Sequence, residues 1–381
     1  MRVCIVYDCL YPYTIGGAER WYRNLAERLA EAGAEVTFLT LRQWEPGAKP
    51  EVPGVRVVAA GPRMGLYARS GRRRVLPPVV FGLGVLGHLL RHGRSYDVVH
   101  TASFPYFSLL AAGLARRWRG FRIFVDWHEV WTRRYWRQYL GPIGGRIGWL
   151  VQRACLRVPQ RAFCFSRLHE RRLHELGLHG KLTRLGGQHV ARGEPKQPRP
   201  ARPVVVFAGR LIPEKRVVEL VPAIGRARVQ VPDLQGEIYG DGPERERLLR
   251  AIAALGPDGY VSAPGFVDPE VLEEALSTAL CLLLPSRREG YGLVVVEAAA
   301  RGVPTVVVEG PDNAATELVE DRVNGAVAPS AAPGDLAAAI VRVHRAGPEL
   351  RRSTLGWFRR NAERLSLEGS LEAVLEAYAG A

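Results

Sequence analysis

The sequence predicts an α/β protein with two domains, each built on a parallel β-sheet. Short apolar runs alternate with amphipathic segments along the chain, and parallel strands require such crossover connections. A stretch with four prolines at 191–203 interrupts this alternation, which begins again at Val204. We therefore expect domains at 1–190 and 204–354, joined by a stiff linker at 191–203.

Strands are predicted where residues that favour β-structure form short apolar runs, and no third sheet is predicted. The runs are Val3–Tyr7, Val36–Leu41, Val55–Ala59, Asp97–His100, Arg122–Asp126, Arg161–Phe165, Val204–Ala208, Gly236–Tyr239, Tyr260–Ala263, Leu280–Leu284 and Thr305–Val308. Helical spacing between them predicts helices at Glu214–Arg228 and Pro243–Leu255, and in the tail from Leu350 onward.

Composition limits the class of protein. With 381 residues, 47% hydrophobic and 24% charged, the chain is neither disordered nor a small disulfide scaffold. Its five cysteines form no CxxC pair, its N-terminus has no apolar leader, and its longest apolar stretch, Val75–Leu90, is shorter than the ~20 residues that span a membrane. We expect a soluble cytoplasmic protein.

Positive charge is concentrated in the first half. Residues 1–190 carry 30 Lys and Arg against 12 Asp and Glu, whereas residues 191–381 carry 23 against 26. Such a field attracts nucleic acid, anionic lipid or anionic glycan. A solvated, arginine-rich surface is the alternative, because the chain has only four lysines. There are two cationic segments. The first, Arg69–Arg74, could contact a membrane. The second, Trp131–Tyr139, could stack on sugar rings or bases.

Ligands of open α/β sheets bind beyond the carboxyl ends of the strands, and two such sheets predict a cleft between the domains. After the first strand, Gly16 and Gly17 open a helix whose N-terminus suits a phosphate, although the pattern is neither GxGxxG nor a P-loop. After Val204–Ala208 come Gly209, Arg210 and Lys215. Two cations of different shape suit the oxygens of a diphosphate.

Two further turns give weaker signals. Gly240 begins a Gly-Asp-Gly-Pro turn, and Phe266 and Val267 follow the strand at Tyr260–Ala263 and could line a base pocket with backbone amides. By themselves these patterns indicate only turns.

The strongest segment is 283–304. A strand ends at Pro285, and a turn from Gly290 to Gly292, which includes Tyr291, opens a helix at Leu293. Glu289 precedes this helix and Glu297 lies in its second turn. Carboxylates that accept from two vicinal hydroxyls are a usual way to hold a ribose or sugar ring. The alternative is one glutamate at a helix start and one on the surface.

Few other side chains suggest chemistry. His128 follows the strand Arg122–Asp126 and could bond a sugar hydroxyl or transfer a proton, although a histidine at a strand end is often structural, and His100 is a weaker candidate. His169 and His174 are five residues apart rather than four, so we expect no zinc site. No Asp-x-Asp pair exists, so no metal ligands are expected.

These loops together resemble those of family 4 retaining glycosyltransferases of GT-B fold, the "glycosyl transferases group 1". The resemblance covers nearly the whole chain, and its most specific part is Pro285–Pro304. It implies an α/β fold with two Rossmann-like parallel-sheet domains facing a central cleft. The second domain would bind the nucleotide sugar and the first the acceptor, with a C-terminal helix at about 355–381 packing back on the first domain.

The resemblance also implies residue roles. Arg210 and Lys215 would neutralise the diphosphate leaving group, Glu297 would hold the ribose and Glu289 would contact the donor sugar. His128 would touch the sugar near the reacting carbon, although this chain has His128-Glu129 where family members often have His-Asp. The remaining implied donor contacts are Gly16, Gly17, Gly209, Gly240, Phe266, Val267, Gly290, Tyr291, Gly292 and Leu293.

The implied activity is a retaining, metal-independent hexosyl transfer from a UDP- or GDP-linked sugar, without a cofactor. The acceptor would be a glycan, a lipid-linked molecule or a small molecule, and the enzyme would be cytoplasmic with a peripheral contact to the inner face of the membrane. A non-catalytic nucleotide-sugar or nucleic-acid binding protein, a sugar phosphorylase and an epimerase stay open. Nucleic acid is disfavoured because Glu289 and Glu297 would repel phosphate.

Overall fold

The computed structural model describes residues 1–45, 47–48, 50–68, 73–190, 197–257 and 259–380. Their contacts divide into two units. The first contains residues 1–68 and 73–186 together with 370–380, and the second contains residues 187–369, in each case within the described ranges. Residues 69–72 of the first cationic segment and 191–196 of the predicted linker lie outside the described residues.

The first unit is a parallel sheet with helical crossovers. Its strands are β1 Arg2–Val6, β2 Glu35–Thr40, β3 Val55–Ala59, β4 Val98–Ala102, β5 Arg122–Trp127, β6 Gln160–Cys164 and β7 Gly180–Arg184. Its helices are α1 Gly17–Glu31, α2 Leu76–His92, α3 Phe107–Arg119, α4 Arg133–Leu156 and α5 Arg167–Glu175, with a 3-10 turn at Gly93–Ser95. The strand order is β3-β2-β1-β4-β5-β6-β7, so the order reverses between β1 and β4.

The second unit repeats this plan. Its strands are β8 Val204–Ala208, β9 Gln235–Tyr239, β10 Val261–Gly265, β11 Cys281–Leu284, β12 Arg288–Glu289, β13 Thr305–Val308, β14 Asp312–Asn313 and β15 Gly325–Ala328. Its helices are α6 Leu220–Ala227, α7 Arg245–Ala253, α8 Pro269–Thr278, α9 Leu293–Ala299 and α10 Pro333–Leu365; 3-10 turns lie at Pro213–Lys215, Val217–Glu219 and Ala314–Leu318. The sheet order β10-β9-β8-β11-β13-β15 reverses between β8 and β11.

The last helix, α11 Leu367–Ala379, begins in the second unit, and its residues from Ser370 onward belong to the first. Tyr378 is buried there, with its ring 4.5 Å from that of Phe124, and its carbonyl oxygen accepts a hydrogen bond from Arg122 at 2.7 Å. The end of the chain is therefore held by β5 of the first sheet.

The predicted α/β class with two parallel sheets is confirmed, and the predicted strands form, most with ends within one or two residues of those expected. Three details were wrong. Helix α6 begins at Leu220 rather than Glu214, because Arg216 adopts a left-handed conformation with φ 51° between two 3-10 turns. Strands β7 and β15 were not predicted, since GKLTR and GAVA lack bulky apolar runs. Strands β12 and β14 form a small third ladder.

Candidate active site

The most prominent polar contact of the second unit lies where its strand order reverses. Lys215, at the end of a 3-10 turn after β8, forms an ion pair and hydrogen bond with Oε1 of Glu289, which follows β11. Ser286 donates a hydrogen bond to the same oxygen at 2.7 Å. The Lys215 and Glu289 side chains are only 16% and 10% exposed, so burial strengthens the attraction. The structure thus brings together two of the predicted site residues.

Asn313 fixes the loop that carries Glu289. Its side-chain amide donates to the carbonyl oxygens of Ser286 and Val308 at 3.2 and 2.7 Å, and its side-chain oxygen accepts from the amide of Ala315. The asparagine is 2% exposed. Sequence reasoning missed this residue, because its partners lie up to 27 positions away and no local pattern links them.

The predicted glycine turns after β8, β9 and β10 lie side by side. The Gly209 amide donates to the Tyr239 carbonyl at 3.1 Å, and the Gly240 amide donates to that of Gly265 at 2.8 Å. A Cβ atom on Gly240, whose φ is 126°, would overlap the carbonyl oxygen of Gly209. The turn after β9 therefore needs glycine at position 240 because backbone packs on backbone there, which is a structural reason in addition to the ligand approach expected from sequence.

The segment 290–297 has the predicted local form. Gly292, with φ 105°, caps the N-terminus of α9, which begins at Leu293. Glu297 lies in the second turn and is partly buried, and its carbonyl oxygen accepts from Arg301 at 2.7 Å. Gly290 and Tyr291 are also partly buried, and burial raises the pKa of the Tyr291 hydroxyl. The helix N-terminus and a carboxylate are thus within one short segment.

The other candidates of the second unit differ in exposure. Arg210 is exposed after β8. Phe266 is 64% exposed after β10, whereas Val267 packs against the core. Arg216 stands beside Lys215 in sequence, and burial together with the charge of Arg287 lowers the pKa of its guanidinium. Like charges therefore gather on the loops after β8 and β11.

In the first unit, Gly16 and Gly17 do begin a helix, α1. A Cβ atom on Gly16 would clash with the carboxylate of Glu19, which lies over this end of the helix and is largely buried. An internal carboxylate therefore already interacts with the positive end of the helix dipole. The glycine has a structural explanation here beside the predicted phosphate contact.

His128 follows β5 and is held by aromatic rings. It stacks on Phe165 with 5.4 Å between ring centroids, and Tyr22 packs edge-on against it at 5.9 Å. Among the described residues, no hydrogen-bond partner lies near its buried Nε2 atom. Burial lowers the pKa of His128, which keeps the imidazole neutral near pH 7, although the charges of Asp126 and Glu129 oppose this shift.

Beneath His128 lies a chain of buried polar groups; the sequence indicated His100 as a weaker candidate but did not link it to Asp126, Trp21 or Tyr378. Asp126 Oδ2 accepts from Trp21 Nε1 at 2.7 Å and lies 3.0 Å from His100 Nε2, and His100 Nδ1 lies 2.6 Å from the Tyr378 hydroxyl. Burial opposes ionisation of Asp126, but His100, His128 and the Trp21 hydrogen bond hold its pKa below the usual value. Asp126 and His100 are therefore structural supports of the His128 pocket.

The structure changes the interpretation of the two cationic segments, because several of their side chains are buried. Arg73 forms a buried ion pair with Asp8, so it is not a surface contact. Trp131, Tyr135 and Trp136 are buried, so their rings cannot stack on a ligand from outside. The arginines of this second segment remain exposed.

No group of three or more His, Cys, Asp and Glu side chains among the described residues could hold a metal ion. No helix in this part of the chain combines the length and apolar character needed to cross a membrane.

Comparison with known families covers both units. The family model described as glycosyl transferases group 1 matches residues 193–354, and the model described as glycosyl transferase 4-like domain matches residues 16–186. This chain belongs to the family 4 type glycosyltransferases of GT-B fold. The family predicted from the loop residues is therefore confirmed.

Individual relatives agree with this assignment. The alpha-D-kanosaminyltransferase of Streptomyces kanamyceticus is 33% identical over 150 residues, which are 39% of this chain and 38% of that protein. The aligned parts span only 21% to 38% of the first three curated relatives. Sucrose-phosphate synthase of Thermosynechococcus elongatus has the same fold, with TM-score 0.79, 20% identity and coverage of 100% and 98%. So does Anabaena HepE in complex with UDP and glucose, with TM-score 0.71, 16% identity and full coverage of both chains.

Proposed function

We propose that this family member transfers a hexosyl group from a UDP- or GDP-linked sugar to a glycan, a lipid-linked molecule or a small-molecule acceptor. The observation that carries the proposal is the Lys215–Glu289 pair where the second sheet reverses its strand order. Open α/β sheets bind their ligands at this position. Family membership supports the class of reaction.

The leaving diphosphate is assigned to Lys215 and Arg210. An ammonium group has three N–H donors, so the bond to Glu289 leaves donors for phosphate oxygens. Arg216 and Arg287 add positive charge to the same loops; burial first and the charge of Arg287 second lower the pKa of Arg216. Cations held in place before the reaction stabilise the charge that develops on the departing diphosphate.

The sugar parts of the donor are assigned to the two glutamates. Glu297 accepts from the ribose hydroxyls, and Glu289, fixed by Ser286, contacts the transferred sugar. The turn amides from Gly290 to Leu293 donate to phosphate at the start of α9. The remaining assigned contacts to the phosphates and the base are Gly209, Gly240, Phe266 and Val267.

In the first unit we assign His128 to the reacting sugar and the α1 start at Gly16 and Gly17 to phosphate. The buried Nε2 atom of His128 supports this role, because a neutral imidazole nitrogen can exchange a hydrogen bond with a sugar hydroxyl. Because the Glu19 carboxylate already lies at the start of α1, we expect the phosphate contact there to be weaker than the contact of His128 with the sugar.

We further propose that transfer proceeds with retention, without a metal ion or cofactor, in the cytoplasm. The bond from the anomeric carbon to the diphosphate oxygen breaks while the acceptor oxygen bonds to the same face. The acceptor's proton passes to the departing diphosphate. Lys215 and Arg210 supply positive charge where a metal ion would otherwise act, and the buried cysteines suit a reducing compartment.

Nucleotide release tests this function. The full chain is incubated with UDP-glucose, UDP-N-acetylglucosamine and GDP-mannose, with and without EDTA, and free UDP and GDP are measured. UDP-glucose comes first, because HepE of the same fold was seen with UDP and glucose. Water is the acceptor in this assay, so we expect EDTA-insensitive release of the nucleotide from one donor, together with a free sugar that NMR first detects as the α-anomer. Binding without release would contradict transfer, and release that requires inorganic phosphate would indicate a phosphorylase.

A further inference from the structure

Helix α4 carries an apolar stripe on its outer side. The helix is interrupted at Gly141, where φ is 77° and ψ is −177°, and the stripe lies in the part that follows. Ile143, Ile147 and Leu150 are 79%, 58% and 57% exposed. Spacings of four and three residues place them on one helix face.

The inner side of the same segment is firmly fixed. A Cβ atom on Gly148 would clash with the ring of Trp136, so glycine allows the two parts of α4 to pack closely. Gln152 is fully buried, with its side-chain oxygen 3.1 Å from Trp136 Nε1 and 3.0 Å from the Tyr106 hydroxyl. The stripe is therefore held outward by a well-packed inner face rather than exposed by poor packing.

Positive charge borders the stripe. Residues 130–169 contain eight arginines and no aspartate or glutamate. Three exposed members, Arg133, Arg134 and Arg137, line a groove of about 590 Å³ together with Gln138 and Pro142, directly before Ile143. Apolar side chains beside several cations are the pattern of a surface that binds anionic lipid.

We propose that this α4 face docks on an anionic lipid bilayer, with the stripe in the interface and the arginines on headgroup phosphates. The stripe consists of three side chains along about 10 Å of helix, too few to supply the roughly 800 Å² that each partner buries in a stable protein interface. The attractions of several arginines to an anionic surface add together, so the contact needs no large area. The proposal does not depend on sugar transfer.

The sequence-based expectation placed the membrane contact at the segment around Val75–Leu90 and not on α4. There Arg73 pairs with buried Asp8, and Phe81, Val85 and Leu89 are fully buried on α2, which packs against α3. Val75, Leu76 and Leu83 of that segment are exposed as well, so the α4 face is preferred because Arg133, Arg134 and Arg137 are exposed directly before its stripe.

Vesicle flotation of the full chain tests the proposal. Vesicles of phosphatidylcholine alone are compared with vesicles containing phosphatidylglycerol, for wild type and two triple variants. One carries Ile143→Ser, Ile147→Ser and Leu150→Ser, and the other carries Arg133→Gln, Arg134→Gln and Arg137→Gln. We expect wild type to prefer anionic vesicles and each triple variant to bind at least tenfold more weakly. Thermal unfolding checks that the variants remain folded.

Matched controls are available in the second unit. Val229→Ser with Leu249→Ser removes exposed apolar residues, and Arg247→Gln, Arg250→Gln and Arg322→Gln removes three exposed cations. These controls should bind vesicles like wild type. Equal binding by wild type and the α4 variants, or no preference for anionic lipid, would overturn the proposal. So would a concentration-dependent dimer that the serine variant abolishes, because the stripe would then face a second copy.

Discussion

The six main-sheet strands of the second unit have the same order as the first six strands of the first unit. Each unit also has an ion pair near the reversal of that order, yet the surroundings of the two pairs differ. In the second unit Lys215 and Glu289 lie among glycine turns and an exposed Arg210. In the first unit Asp8 and Arg73 are buried beneath the ring of Phe104, 4.9 Å from the guanidinium. The Lys215 and Glu289 side chains are 16% and 10% exposed, against 10% and 0% for Arg73 and Asp8. We therefore propose that the pair of the second unit serves a ligand, whereas the pair of the first unit mainly stabilises the fold.

Removing the cation of the second unit should have the largest effect. Lys215→Gln keeps a polar side chain but loses the charge that stabilises the leaving diphosphate, so we expect kcat to fall about 10²–10³-fold. Unfolding in urea should change little by comparison. Lys181→Gln alters an exposed lysine of β7 and serves as the control. Wild-type turnover by Lys215→Gln would remove Lys215 from the mechanism.

Substitutions in the polar network of the first unit should lower the free energy of unfolding. Asp126→Asn removes a buried charge that accepts a hydrogen bond from Trp21 and lies 3.0 Å from His100 Nε2. Breaking such a network costs about 3 kcal/mol of unfolding free energy. Urea denaturation measures the loss. Glu175→Gln, in an exposed pair with Arg171, should cost less than about 0.5 kcal/mol. A similar small loss for both would mean that the network is not stabilising.

In the second unit, the effect of close packing at a glycine turn can be distinguished from the effect of a positive φ angle alone. Gly240→Ala must move the Gly209 carbonyl and should cost about 1–3 kcal/mol of stability, with weaker nucleotide binding. Gly256→Ala shares the positive φ but meets no atom within 4 Å, so it reports the strain alone. If both variants bind UDP and GDP like wild type, the packed turns do not shape the donor site.

The link between the last helix and the first sheet should contribute less. Tyr378→Phe removes the hydroxyl on His100 Nδ1 and should cost about 1 kcal/mol of unfolding free energy. Thermal unfolding of this variant is compared with Tyr13→Phe, whose side chain is exposed. Equal melting temperatures for the two would show that the hydroxyl adds no stability.

The smallest expected effect is on pH dependence. Because burial lowers the pKa of His128, the unfolded chain gains a proton below about pH 6.5 before the folded chain does. Stability from this group is therefore present above pH 6.5 and is lost as the pH falls. His128→Gln should flatten the decline measured by urea denaturation, whereas His174→Gln, at an exposed site, should not. An unchanged slope in His128→Gln would contradict the assignment.

The same contrast explains what the sequence could predict. Strands such as Val204–Ala208 and the turn before Leu293 are local patterns, so periodicity and glycine spacing located them. The pairing of Lys215 with Glu289 spans 74 positions, and its two members were found as separate motifs rather than as a pair.

In the first unit the important contacts are less visible in the sequence. His100 and Tyr378 are 278 positions apart, and Asp8 and Arg73 are 65 apart. Such pairs depend on how the sheet and the last helix assemble, so no local signal identifies them. The start of helix α6 was predicted wrongly for another reason. Arg216 adopts a left-handed backbone conformation, which the periodicity of side chains does not reveal.

Calorimetric titration of UDP and GDP into wild type and Lys215→Gln tests the central claim most directly. We expect wild type to bind one of the two nucleotides and Lys215→Gln to weaken this binding tenfold or more, because a charge-assisted hydrogen bond is lost. Lys181→Gln should bind like wild type. Equal affinity of wild type and Lys215→Gln for the bound nucleotide would contradict the claim that this lysine holds the diphosphate.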